Sequence, residues 1–228
     1  MKINIKGTII SNDDKMVYDW FEMESTCPRD IEKALDKAKK NEEIEVIINS
    51  GGGSVFAGSE IYSLLKDHKS KVTGKIVGLC ASAVSVIAMG VDNLKMSPTA
   101  QIMIHSASMI TGGNSADFEK GAEILKGIDK SIANAYILKT GLKQDELLDL
   151  MAKETWLDAK TAKEKGFVDE IMFDEDNKIV ASFDSGIIPP QIINKIRNEL
   201  KNKKSEENID NEEELKIAKA KLQLQLKL

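Results

Sequence analysis

Cysteine is scarce in this chain of 228 residues, with Cys27 and Cys80 the only two. Two thiols make no disulfide framework, and a reducing cytoplasm is the expected setting. His68 and His105 are the only histidines and lie far from both thiols in sequence, so no structural zinc site is expected. No apolar run approaches the roughly 18 residues that a membrane span needs. The opening residues, Met1-Lys2-Ile3-Asn4-Ile5-Lys6, alternate apolar and polar and lack the apolar stretch of a signal peptide. An excess of positive charge is missing too. Lys and Arg number 32 against 37 Asp and Glu, a net charge of −5, which argues against a generally basic nucleic-acid binder. What remains is a composition of 42% apolar and 30% charged residues, enough for a sizeable core. The length suits one globular domain with an appendage.

Hydrophobic periodicity divides that domain. Residues 2–10 alternate and predict a strand. Ile31, Ala34, Leu35 and Ala38 predict an amphipathic helix over 29–40. The run Glu45-Val46-Ile47-Ile48-Asn49 predicts a buried strand stopped by Gly51-Gly52-Gly53. A helix over 56–66, a strand over 72–78, a small-residue helix over 82–90 and a strand over 101–104 follow. Helices are predicted over 115–139, 143–152 and 159–165, then a strand over 167–171, a turn at 174–177 and a strand over 178–183. Strands alternating with helices predict an α/β protein with largely parallel pairing.

The composition changes at Pro189-Pro190. Residues 1–188 are read as the main domain and 189–228 as an extension. In the extension, 191–203 predict a basic amphipathic helix and 205–214 an acidic linker. Leu215, Ala218, Leu222 and Leu226 form a helical stripe, although Leu222, Leu224, Leu226 and Leu228 also alternate like a strand. Either form offers apolar surface for a partner or for self-association.

Three segments can carry chemistry. Glycines 51–53 let the backbone turn sharply and present N–H groups to an anion. The Lys-[Ser/Thr] of a nucleotide-binding loop does not follow them, which disfavours phosphate. Ser82 sits among small residues between a strand and a helix, where it serves either as a nucleophile or as a helix cap. Ser85 is a rival nucleophile, whereas Cys80 has the apolar setting of a packing residue. His105 closes the apolar strand Gln101-Ile102-Met103-Ile104 at the edge where α/β folds commonly bind ligands. His68 lies at a helix end, where solvation or capping accounts for it.

Taken together and in order, Gly51-Gly52-Gly53-Ser54-Val55, Gly78-x-x-Ala81-Ser82, Pro98 and Met103-Ile104-His105 resemble the Clp protease proteolytic-subunit family over residues 3–172. In that family the serine follows Gly-x-Ala-Ala and the histidine follows a Met-Ile pair; here Ser82 follows Gly78-Leu79-Cys80-Ala81 and His105 follows Met103-Ile104. The Asn-Ser-Pro-Gly-Gly of its housekeeping branch is Asn49-Ser50-Gly51-Gly52-Gly53 here. The three glycines, the Ala-Ser-Ala-x-Ser of residues 81–85 and the Glu-Thr-Trp of 154–156 look like the phage and prophage branch, the head maturation proteases.

The resemblance implies the ClpP/crotonase fold of stacked ββα units, with a helical or flexible C-terminal extension, assembled into homo-oligomeric rings. It implies a serine endopeptidase that needs no metal or organic cofactor. Ser82 would be the nucleophile, His105 the base and Glu154 the acid, at a position where the family carries aspartate. Asp158 is the fallback acid, or else a helix N-cap. Asp169 matches a structural segment. Gly53 and Ala83 would supply oxyanion N–H groups, and Gly112 and Gly113 would lie where an extended peptide adds as a strand. The phage branch implies an ATP-independent protease, located in the cytoplasm of a bacterial host or in a procapsid, that cleaves capsid or scaffold precursors. The alternatives are a housekeeping subunit working with an ATP-driven unfoldase and a catalytically silent assembly protein. A crotonase-type acyl-CoA enzyme is a more distant rival. No nucleic acid or membrane partner is implied.

Overall fold

The computed structural model describes residues 1–39 and 41–173. The turn expected at 174–177, the strand at 178–183 and the extension over 189–228 lie outside the described residues. In chain order the elements are β1 (Lys2–Ile9), α1 (Lys15–Trp20), β2 (Ser25–Thr26), α2 (Pro28–Leu35), β3 (Ile44–Gly53), α3 (Val55–Asp67), β4 (Val72–Ala81) and α4 (Ala83–Ala88). They continue with β5 (Asn93–Met96), β6 (Gln101–Ile104), α5 (Ser115–Thr140), α6 (Gln144–Ala152), β7 (Thr155–Leu157), α7 (Ala159–Glu164) and β8 (Glu170–Ile171).

The strands form one mixed sheet in the order β2-β1-β3-β4-β5-β8, with every neighbouring pair parallel. Strand β6 pairs parallel with the last residues of β4 and antiparallel with β7. This is the α/β architecture that the periodicity predicts. Val46 and Ile48 of β3 and Ile76 of β4 are fully buried, as expected of central strands whose apolar run is nearly continuous. Ile31 and Leu35 of α2 and Ile61 and Leu65 of α3 join them in one core.

A break in register directs β4 toward the site. Ile48 pairs with Ile76, but Ser50 pairs with Cys80, so β4 bulges between the two pairs. The Asn49 side chain occupies the bulge, its Oδ1 accepting the Leu79 amide at 2.9 Å. A Cβ on Gly78 would stand 2.5 Å from that oxygen, so glycine is needed there for room. Before the bulge β4 pairs with β5, and after it with β6. The end of β4 therefore lies alongside the strand that ends before His105.

The helix expected over 29–40 stops at Leu35, and the strand expected over 167–171 shortens to Glu170–Ile171. Phe167 and Val168 are buried, yet the Phe167 amide turns back to Ala162 O at 2.8 Å, behind Gly166 at φ 78°. That wrap closes α7 and takes the apolar pair out of the sheet.

Candidate active site

Ser82 joins β4 to α4 in a backbone conformation that non-glycine residues rarely adopt, φ 55° and ψ −130°. Such a residue costs about 1–3 kcal/mol and persists only where its surroundings impose it. Here the Ser82 amide donates to Met103 O of β6 at 2.9 Å, and Ser82 O receives the Ser85 amide, also at 2.9 Å. The strained turn lifts the side chain toward His105, whose Nε2 lies 2.8 Å from Ser82 Oγ. Both side chains are half-buried.

The three glycines, expected as a turn that stops the strand, instead continue β3 as far as Gly53, with Gly52 and Gly53 paired to Thr8 and Ile9 of β1, and Gly52 packs directly against this serine. A Cβ on Gly52 would come within 2.7 Å of both Ala81 O and the Ser82 Cβ, and Gly52 has φ 97°. Gly53, at φ 146°, leaves no room beside Ile9, with Ile9 O only 2.2 Å from a Cβ position. Gly51 has neither a positive φ nor a close neighbour, so its lack of a side chain has no conformational cause. A cavity of about 90 Å³ opens here, walled by residues including Gly53, Ser82, Ala83, His105, Ala107 and Tyr136. Ala83 opens α4, so its N–H has no acceptor within the helix.

A larger cavity of about 790 Å³, lined by residues including Leu35, Ala38, Leu64 and His68, brings no nucleophile to a base. His68 caps α3, and its Nδ1 accepts the Ser70 amide at 3.2 Å.

The antiparallel ladder ends with Ile104 opposite Thr155, so His105 and Glu154 are the residues that adjoin its last pair. Glu154 takes a left-handed turn at φ 50° and is exposed. Its Oε1 accepts Trp156 Nε1–H at 3.3 Å, and among the described residues no hydrogen bond joins it to the His105 ring. Asp158 caps α7, its Oδ1 accepting the Thr161 amide at 2.8 Å, and that bond holds its carboxyl below the ordinary range. Asp169 Oδ2 accepts the Leu94 amide at 2.6 Å and pairs with Lys139, a structural duty.

Gly112 and Gly113 stand outside the cavity wall, at the entry to α5. Gly113, at φ 150°, leaves space for Asp117, which forms a capping box with Asn114. Ser85 is fully buried and hydrogen-bonded, so the structure removes it as a rival nucleophile. Cys80 is fully buried, and desolvation pushes its thiol far above the usual range, as suits packing. Two further residues near the site were not among the candidates. Asp129 of α5 accepts the Ala107 amide at 2.7 Å, two residues beyond His105, and Tyr136 reaches Ser85 beneath Ser82. An aspartate or a tyrosine on a long helix carries no local signal of either contact.

A family profile for Clp protease matches residues 31–175. The ATP-dependent Clp protease proteolytic subunit of Deinococcus radiodurans is 31% identical over 140 residues, covering 60% of this chain and 69% of that one. Proteolytic subunit 1 of Chlamydia abortus is 32% identical over 144 residues, covering 61% and 74%. Among solved structures, a point mutant of ClpP1 from Listeria monocytogenes superposes with a TM-score of 0.61 at 24% identity, covering 77% of this chain and 92% of that one. At that identity the likeness speaks for the fold alone.

Proposed function

The chain belongs to the Clp protease family and is a ClpP-like serine-type endopeptidase, and on that premise we propose that Ser82, His105 and Glu154 carry its reaction. His105 takes the Ser82 hydroxyl proton through Nε2 as Oγ attacks the scissile carbonyl. Gly53 and Ala83 donate their N–H groups to the oxyanion that forms, and each such donor is typically worth about 3–4 kcal/mol. The C–N bond breaks as His105 returns the proton to the leaving amine. Water, deprotonated by His105, then hydrolyses the acyl-serine. Glu154 orients the His105 ring once its carboxylate leaves Trp156. The observation that carries this reading is the 2.8 Å hydrogen bond between a strained serine and a histidine from the neighbouring strand.

The reading includes a homo-oligomeric ring that takes peptide as an added strand beside residues 111–115. The relatives are named as subunits of ATP-dependent Clp proteases, which supports a subunit fed by an ATP-driven unfoldase over an ATP-independent one. Cleavage of capsid or scaffold precursors is the second reading. It is supported by the triple glycine, by Ala-Ser-Ala-x-Ser and by Glu-Thr-Trp at 154–156.

Two assays test this. Peptide hydrolysis and fluorophosphonate labelling of Ser82 are expected in the wild type and absent in Ser82→Ala, since loss of a nucleophile typically costs on the order of a million-fold. An unchanged Ser82→Ala overturns the catalytic assignment. Degradation of a folded protein only when an unfoldase and ATP are added supports the first reading. Efficient cleavage of a capsid precursor without ATP supports the second.

A further inference from the structure

The peptide plane between Ser82 and Ala83 is held from its carbonyl side. Ser82 O accepts two donors from one residue, Ser85 N at 2.9 Å and Ser85 Oγ at 2.6 Å. A hydroxyl has a single proton. Ser85 commits it to Ser82 O, which can only accept, so the 2.7 Å contact between Ser85 Oγ and Tyr136 is a bond donated by the phenol. Ser85 is 0% and Tyr136 1% exposed, so bulk water does not compete. Burial raises the phenol well above its ordinary range, which keeps it a donor. The result is a one-way chain from α5 into α4, in which Tyr136 O–H donates to Ser85 and Ser85 O–H donates to Ser82 O.

A trans peptide is planar, and its C=O and N–H point in opposite directions. Whatever fixes Ser82 O therefore also aims the Ala83 N–H. Hydrogen bonds to the carbonyl further polarise the amide, by about 10–30% per bond. We propose that Ser85 and Tyr136 are positioning residues that lock the Ser82–Ala83 peptide so that its N–H meets the oxyanion as it forms. This rests on the reading of Ser82 as nucleophile and Ala83 as oxyanion donor, and it adds the buried relay that makes the donor rigid. An interaction aimed at charge that exists only in the transition state changes kcat and leaves KM alone.

The test uses the full chain and a fluorogenic peptide, with fluorophosphonate titration of Ser82 and thermal melting. Ser85→Ala is expected to lower kcat about 10- to 100-fold, with KM within two-fold of wild type. Tyr136→Phe, which keeps the ring, is expected to lower kcat about 3- to 10-fold. Because the two hydroxyls act in series, the double variant should fall no more than about two-fold below Ser85→Ala. The pH profile of kcat should keep its shape, since Ser82 and His105 are untouched. A kcat within two-fold of wild type in both single variants overturns the relay while leaving the Ser82 reading in place. So does a loss that only tracks the folded fraction, or one that multiplies in the double variant. A wild type that is not labelled at Ser82 overturns both. Should Ser85→Ala fail to fold, Tyr136→Phe is judged alone on kcat against KM.

Discussion

His105 and Glu154 adjoin the last ladder pair, Ile104–Thr155, yet the Glu154 carboxylate binds the Trp156 indole at 3.3 Å. The Glu154 side chain has turned along β7. If Glu154 orients His105 during the reaction, Trp156 competes for it. Glu154→Gln is expected to lower kcat/KM about 10- to 1000-fold, less than loss of the nucleophile, because an exposed carboxylate is partly replaced by water. Trp156→Phe removes the competing donor and is expected to leave kcat at or above wild type. Steady-state hydrolysis of a fluorogenic peptide checks both. A Glu154→Gln enzyme with full activity takes Glu154 out of the mechanism.

Gly52 links the end of β3 to the nucleophile by simple exclusion of space. In Gly52→Ala the new methyl would meet Ala81 O and the Ser82 Cβ at 2.7 Å, at a φ of 97° that alanine resists. We expect a loss of about 1–3 kcal/mol in stability together with at least a ten-fold loss in kcat, as Ser82 is pushed off His105. Gly51→Ala meets only Leu79, at 4.0 Å, and is expected to keep both properties near wild type. Urea melts and peptide assays on the pair separate crowding at the site from a general dislike of substitution in the glycine run.

Those two glycines show how much of the site is legible in sequence. Strand ends are encoded locally, so the positions of Ser82 after β4 and His105 after β6 are legible in the sequence, whereas the glycine run reads as a turn and in fact continues β3 through its pairing with β1. Most of the element pattern from β3 to α6 is legible from periodicity as well, the exception being the four-residue strand β5, which has no counterpart in the pattern. Short elements escape. Strand β7 has three residues, too few for a period, and it is recognised only by its pairing with β6. The turn of Glu154 toward Trp156 depends on a side-chain rotamer, and the Ser85–Tyr136 contact joins residues 51 positions apart. Neither leaves a trace in local sequence. Ser85 illustrates the difficulty, because a serine three residues after Ser82 reads as a second hydroxyl for catalysis until its burial is known.

Asp129 holds the segment that follows His105. Its Oδ1 accepts the Ala107 amide at 2.7 Å, and Ser106 N donates to Met151 O at 3.1 Å, so two elements fix this stretch. Asp129→Ala leaves a half-buried amide without its acceptor and should cost about 1–3 kcal/mol. Asp129→Asn keeps an oxygen at the same place and should recover more than half of that loss. Denaturant melts give the stabilities. Parallel peptide assays should show KM rising more than kcat falls, because the segment forms part of the cavity wall and does not touch the reacting atoms.

Asp158 provides a pH-dependent contribution whose sign is determined. Hydrogen bonding to the Thr161 amide lowers its pKa below the reference value of 3.8. Between the folded and unfolded values the unfolded chain binds the proton and the folded chain does not, so stability rises with pH across that interval. The contribution is complete above about pH 4–5 and disappears as the pH falls through the folded value. Asp158→Asn retains an oxygen for the cap and no longer titrates. The wild type should therefore be the more stable of the two at pH 7, and the gap should narrow as the pH falls below 3.8 and vanish once it is below the folded value. Glu45 and Glu170, also held low by their lysine partners, titrate in both proteins and cancel from the difference. The same variant also tests the identity of the catalytic acid. Peptide hydrolysis at pH 7 should stay within two-fold of wild type, and a loss of ten-fold or more with α7 still folded would make Asp158, not Glu154, the partner of His105.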